Sequence, residues 1–356
     1  MRTVGVEEEL MLFRDGRPAA EGHRFFEDPT NEVEHELMLE QAEIASAPTT
    51  ELTELAQDLR ASRRELVDSA AARGVTAVAL GTSPVAVQPT PTPDPRYEQM
   101  MGDFGLIAAE QLICGTHVHV AVSSRAEGVR AIDGVRRWLS VLTAISANSP
   151  YWNGRDTGYA SYRTVSWGRW PSTGPSPAFG DERAYDREVQ HLLDTGAALD
   201  RGMVYYDVRL SARYPTVEFR VADVGQHVSD SVLLAGLCRA AVETALADPS
   251  PPDPSVAELK VASWRAARHG LGGELIDVVE GRLRPAGQVV DRMLFELTSA
   301  LHHAGDLTLI TQLMDALWQR GTGADLQRAD VSLGGPAGAI AGAARRVLSW
   351  DDALDL

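Results

Sequence analysis

Lysine is nearly missing from this chain: of 33 basic residues, Lys260 alone is not arginine. Base composition of the coding sequence accounts for such a bias, but the chemical exclusion holds either way. There is no GxxxxGK[ST] loop, so a phosphate has to be held by arginines and cations, and lysine Schiff-base chemistry is excluded as well. Cysteine is scarce too. Cys114 and Cys238 are the only two, which rules out a disulfide scaffold and fits a reducing compartment, so a cytoplasmic location is expected. No apolar run reaches the roughly 18 to 20 residues that span a bilayer, and no membrane association is expected. The N-terminal MRTVGVEEELMLF reads as a strand at once, without a basic segment leading into an apolar one, so no signal peptide is expected. Finally, positive charge is outweighed: a formal net charge of −17 excludes nucleic acid as the main partner, since phosphate binding needs a basic face.

What is present describes a globular protein. The chain has 356 residues, 44% hydrophobic and 23% charged, enough for a large core in one large or two small units. Thr3 to Phe13 alternates as a strand does, and Val33 to Ala47 is a second, acidic extended stretch ending at Pro48. Thr49 and Thr50 offer an N-cap to a helix with the apolar stripe Leu52, Leu55, Leu59, Leu66, Ala70. Gly74 stops it, and Val75 to Leu80 reads as a buried strand. Gln88 to Pro95 is a stiff connector, Gly115 to Val122 a strand, and Val129 to Ala147 a buried helix. Asn148 to Gly180 is long, aperiodic and aromatic, the mark of an ordered functional loop. Met203 to Leu210 and Pro215 to Ala222 read as paired strands. From Val228 onward the pattern is helical, broken by Pro249 to Pro254 and by Gly- and Pro-containing turns. Strands mixed with helices, then helices alone, predict an α+β fold.

Three strands carry groups that could do chemistry. Glu7 and Glu9 share one face of the first strand, whereas Glu8 sits with the valines. Two carboxylates about 7 Å apart suit hard cations, although a solvated acidic edge would look the same. His117 and His119 share a face in GTHVHV, either as metal ligands or as a hydrogen-bonded buried pair. In PTVEFRVAD, Glu218 and Arg220 project together, able to hold a metal beside a phosphate or simply to form a cross-strand ion pair. Within the acidic stretch, Glu43 stands between Ala42 and Ile44, where a solvated acid has little reason to be; Glu32 and Glu34 read as surface charge, and Glu36 is a further candidate. A sheet bringing these strands together builds an oxygen-rich cavity that needs cations, favouring Mg²⁺ or Mn²⁺ over zinc. Arg155, Arg163 and Arg169 of the long loop are then placed to bind substrate carboxylate or nucleotide phosphate oxygens.

The segments VGVEEELML, QAEIASAP, CGTHVHV, SANSPYWNGRDTGYASYR, YPTVEFRVADV and WRAARHGLGGELID, in this order over nearly the whole chain, resemble the glutamate–cysteine ligase type 2 family, or carboxylate–amine ligases, of the glutamine synthetase superfamily. The resemblance implies one catalytic domain over residues 1–356, with a mostly helical part from about residue 228. It also implies a curved antiparallel sheet with flanking helices, whose concave face holds ATP, divalent ions and an amino acid. Carried over, it suggests Glu7, Glu9, Glu43, His117 and Glu218 as metal ligands and Arg220 as the group neutralising the transferring phosphoryl. Asn148, Arg155, Tyr159 and Arg163 fall in the segment resembling the acceptor-facing loop, and Arg169 is expected on the nucleotide with Arg220. Glu36 and His119 match the pattern as well. The family is also the sole ground for expecting a homodimer.

The reaction so implied is ATP-dependent. A carboxylate, that of glutamate or a similar acid, is phosphorylated to an acyl phosphate, and an amine, cysteine by default, displaces phosphate. Two other readings stand beside it: a hydrolase in which His117, His119 and the carboxylates activate a metal-bound water, and a non-catalytic relative that binds an amino acid or nucleotide. The excess of Glu over His speaks against the first, and the full set of candidate ligands against the second.

Overall fold

Strand β1 (Val4–Arg14) is the spine of the molecule. In the computed structural model, which describes residues 1–22 and 36–350, it pairs with four others: β2 (Arg17–Pro18), β3 (Gln41–Ala45), β4 (Thr76–Val78) and β5 (Gly115–Ala121). Beyond β5 lie β9 (Thr216–Asp223) and β8 (Val208–Leu210), and every pairing is antiparallel. A two-residue hairpin, β6 (Tyr151–Trp152) with β7 (Arg155–Asp156), stands apart within the long loop. The expected strands at the N-terminus, around the two histidines and on either side of the Arg213–Tyr214 turn are thus all present. Of the acidic stretch, Glu32 and Glu34 lie outside the described residues.

One face of this sheet is apolar because alternate residues of β1, β5 and β9 are apolar. Val4, Val6, Leu10 and Leu12 join Val118, Val120, Val217 and Phe219, all buried. Two helices complete this layer. Leu52–Ala71 presents Leu52, Leu55, Leu59, Leu66 and Ala70, each buried and each leucine contributing about 1.5–3 kcal/mol over an exposed one. Val228–Ala247 is apolar nearly all round, as a helix enclosed on every side must be. Glu8 is the exception on this face. It is fully buried, and Arg63 of the first helix grips both of its oxygens at 2.7 Å. The same guanidinium donates to the carbonyls of Gly225, Gln226 and Val347, so one arginine ties sheet, helix and C-terminal segment together.

One expectation is corrected. The sheet is not curved into a concave cradle: it is neither strongly curled nor closed. Closure needs repeated stagger along long strands. Here β3, β4 and β8 are only three to five residues long, and a single register shift, between Thr116 and Val118, interrupts the pairing of β5 with β9. The C-terminal part is mostly helical, with one interruption. A hairpin, β10 (Glu274–Asp277) with β11 (Arg282–Pro285), separates helix Val256–His269 from helix Ala286–Ala304, its turn passing through Gly281 at φ +66°. No helix among the described residues is long and apolar enough to cross a membrane.

Candidate active site

Register places the chemistry on the other face of the sheet. Glu9 is opposite Glu43, Glu7 opposite His117, and His119 opposite Glu218. Because opposed residues point to the same side, six residues from four strands converge without any loop being needed. Oxygens of Glu7 and Glu218 and a ring nitrogen of His117 all lie within 4.8 Å of one another. Nδ1 of His117 is 3.3 Å from Oε2 of Glu7, and Nε2 of His119 is 3.2 Å from Oε1. His119 is oriented by Thr216, whose Oγ1 lies 2.9 Å from Nδ1. These groups floor a cavity of about 250 Å³ whose walls include Glu36, Tyr97, Gln111, Trp167, Trp170 and Tyr205.

The electrostatics of the floor are divided. Glu7 is held well below the usual carboxylate range: burial raises it, but hydrogen bonds with His117 and His119 outweigh that. Burial, with Arg220 adding to it, lowers His117 to about 4, so its imidazole is neutral at pH 7 and able to act as a ligand. Burial and the neighbouring Glu36 push Glu9 up to about 8 and Glu43 well above its ordinary value. Carboxylates crowded in this way lack positive charge, and Nε2 of His117 is buried with no hydrogen-bond partner. The donor set, oxygen-rich with one imidazole, therefore fits a hard divalent cation.

Arg220 and Arg163 are among the arginines that line the cavity beside the carboxylates. Arg220 donates to Glu218 from Nη1 and lies 5.5 Å from the ring centroid of Trp167 and 5.7 Å from that of Tyr205. Arg163 is buried, and no carboxylate of the described residues lies within ion-pair distance of it. Its Nη1 and Nη2 reach only the Arg220 carbonyl, at 3.3 and 3.4 Å, and its Nε has no partner.

Other residues singled out from the sequence sit elsewhere. Asn148 is a buried hub. Its Nδ2 donates to the carbonyls of Ala79 and Val224, its Oδ1 accepts from Gln226 and Gln327, and its N–H donates to Asp223. It has no group left for a substrate. Tyr159 accepts from Trp264 Nε1 on the side of the C-terminal helices, and Arg155 is exposed in β7. Arg169 pairs with Glu110 at 2.6 Å. None of these four lines the cavity.

The sequence reading missed several residues that do. Arg209 of β8 is opposite Glu218 and grips it; the predicted pairing of the strands either side of Arg213–Tyr214 was the available signal. Gln111, Trp167 and Trp170 line the cavity with buried polar atoms that have no partner in the protein: both ends of the Gln111 amide and both indole nitrogens. No periodicity marks them.

Comparison with known proteins agrees with this architecture. The chain is similar in fold to a glutamate–cysteine ligase from Francisella tularensis crystallised with AMP, with a TM-score of 0.73 at 11% identity, covering 98% of this chain and 89% of that one. It is similar too to a bifunctional glutathione synthetase from Pasteurella multocida, with a TM-score of 0.71 at 17% identity and 98% of this chain covered, but it spans only 52% of that enzyme. The fold is thus the α+β, glutamine-synthetase-like one with an antiparallel sheet. Sequence relatives are much nearer: a putative glutamate–cysteine ligase 2-2 of Frankia alni is 49% identical over 353 residues, 92% of each chain, and a putative glutamate–cysteine ligase 2-1 of Streptomyces avermitilis is 46% identical over 340 residues, 92% of this chain and 94% of that one. Residues 3–348 match the family described as glutamate-cysteine ligase family 2, and the chain belongs to it. It is accordingly an ATP-dependent carboxylate–amine ligase.

Proposed function

We propose that the acid this ligase activates is glutamate, through its γ-carboxylate, and that the default acceptor is the amino group of cysteine. The observation that carries the reading is the single row of Glu43, Glu9, Glu7, His117 and Glu218 across one sheet face, bordered by Arg220 and Arg163. Glu7, Glu9, Glu43, His117 and Glu218 would hold Mg²⁺ or Mn²⁺, in keeping with their donor types and mutual repulsion. Divalent cations bound there supply the positive charge that a polyphosphate needs in a protein without a phosphate-loop lysine.

The chain's own groups then have separable tasks. Arg220 neutralises charge on the γ-phosphoryl as a carboxylate oxygen of the substrate attacks phosphorus and ADP leaves. Arg163, buried and without a carboxylate partner, pairs with a carboxylate of the amino-acid substrate. The indole N–H groups of Trp167 and Trp170 and the Gln111 amide complete that substrate's hydrogen bonds. The amine nitrogen next attacks the acyl-phosphate carbon; the C–N bond forms, the C–O bond to phosphate breaks, and the amine loses a proton. Asn148, Arg155, Tyr159 and Arg169 act as framework in this reading rather than as substrate contacts. The whole chain acts as one catalytic unit, which the hydrophobic cluster extending from Val4 to Val347 supports. A cytoplasmic location rests on the two unpaired cysteines, and a homodimer on the family resemblance alone.

The test is phosphate release from ATP and Mg²⁺, screened over pairs of amino acids, with Glu7→Gln as control. Release that requires glutamate together with one amine, and disappears in the variant, is the expected result. Release that ignores glutamate would overturn the substrate assignment.

A further inference from the structure

Glu218 is held by two guanidiniums. Arg209 takes both carboxylate oxygens, Nε to Oε2 at 2.8 Å and Nη2 to Oε1 at 3.0 Å, while Arg220 donates to Oε1 from Nη1. Arg209 is itself anchored, its Nη1 donating to the carbonyls of Gly202 at 2.6 Å and Val204 at 2.9 Å. All three of its nitrogens are thus used inside the protein. Arg220 differs: its Nε is buried without a partner, and its guanidinium lies beside the packed rings of Trp167 and Tyr205, 5.5 and 5.7 Å from their centroids.

Two guanidiniums and one carboxylate carry a net charge of +1. A two-point fork on a carboxylate is stronger and more directional than a single bond, so Glu218 is neutralised chiefly by Arg209. The surplus positive charge is left on Arg220. We propose that Arg209 is a positioning residue of the ligase reaction, holding Glu218 in one orientation and keeping Arg220 under-neutralised toward an anionic phosphoryl group. This rests on the reading of Arg220 and the metal ligands given above.

Two opposed consequences follow from removing Arg209. Glu218 becomes free to pair fully with Arg220, which quenches the charge available to the phosphoryl and lowers kcat. Glu218 also loses a competing cation, so the Glu7–His117–Glu218 cluster attracts a divalent cation more strongly. A residue that only supported the fold would weaken both.

The experiment uses the full chain with Arg209→Gln and Arg209→Lys, and Arg220→Gln as a check on the underlying reading. Steady-state phosphate release gives kcat and KM, electron paramagnetic resonance gives the affinity for Mn²⁺ alone, and thermal melting reports folding. For Arg209→Gln, kcat is expected to fall about tenfold or more, with Mn²⁺ binding about threefold or more tighter. Arg209→Lys, which keeps the charge but not the fork, is expected to recover part of kcat. Unchanged kcat in Arg209→Gln, or Mn²⁺ binding that weakens along with kcat, overturns the proposal. Should Arg209→Gln not fold, Arg209→Lys decides: wild-type kcat there overturns the orienting role, and a reduced kcat with unchanged melting supports it. If Arg220→Gln keeps full activity, the reading beneath the proposal has failed; if Arg220→Gln is inactive and Arg209→Gln is normal, only the proposal has.

Discussion

Arg163 packs so closely on Gly115 that a Cβ at that position would sit 2.2 Å from Nη2 and 2.7 Å from Cζ. The glycine that opens the histidine strand is therefore the seat of the buried guanidinium. Gly115→Ala has to displace Arg163, and kcat/KM for the acid substrate is expected to drop about tenfold, or roughly 1.4 kcal/mol, with the fold intact by circular dichroism. Steady-state phosphate release checks this; an unchanged kcat/KM would separate Arg163 from substrate binding.

Cation binding has a signature in stability. Glu9 and Glu43 are raised by burial and by Glu36, so they destabilise the metal-free fold. Mg²⁺ at about 100 times its Kd contributes about 2.7 kcal/mol by mass action and raises Tm by a few degrees. Glu43→Gln is expected to melt higher than the wild type in a chelator and to lose most of the response to Mg²⁺. Differential scanning calorimetry in both conditions measures the two effects.

The buried pair of Glu8 and Arg63 is a matter of folding rather than catalysis. Arg63→Leu leaves Glu8 without a counter-charge in an apolar layer, and a loss of about 3–5 kcal/mol is expected. Adding Glu8→Leu in the same chain should recover a large part of it. Urea denaturation of the two single variants and the double variant tests this, and additive losses would contradict it.

Asp207 gives a pH dependence away from the carboxylate row. Burial lifts its carboxyl to about 7, with the charge of Arg163 opposing the shift. Its folded value lies above its unfolded one, so the unfolded chain ionises first. Its contribution is neutral below about pH 4 and becomes progressively destabilising as pH rises toward 7, by roughly 4 kcal/mol in full. Asp207→Asn should therefore raise the urea midpoint at pH 8 and leave it nearly unchanged at pH 4.

Much of the site was legible because strand periodicity is local. Glu7 with Glu9, His117 with His119, and Glu218 with Arg220 are each two residues apart, and a period of two puts each pair on one face wherever the strand lies. Gly and Pro punctuation likewise delimited the first helix. The same logic failed in the long loop. Its residues follow no period, and its placement comes from Asp223, which accepts from the N–H of Asn148 and the hydroxyls of Ser149 and Ser161. That clasp turns Asn148 inward and leaves Arg155 and Tyr159 facing away from the cavity, whereas Arg163 is brought into it.

The sequence by itself determined which residue types share a face, that arginine and carboxylates rather than lysine handle charge, and the family to which the chain belongs. Only the tertiary structure decided which faces meet. Glu7 and His117 are 110 positions apart, and Glu8 and Arg63 are 55 apart; whether they touch depends on strand order and register, which long-range packing sets. The lack of strong curl in the sheet, the hairpin between the C-terminal helices and the grip of Arg209 on Glu218 belong to that second class. Each is a relation between segments whose local patterns are compatible with more than one arrangement, and burial of the common core selects one.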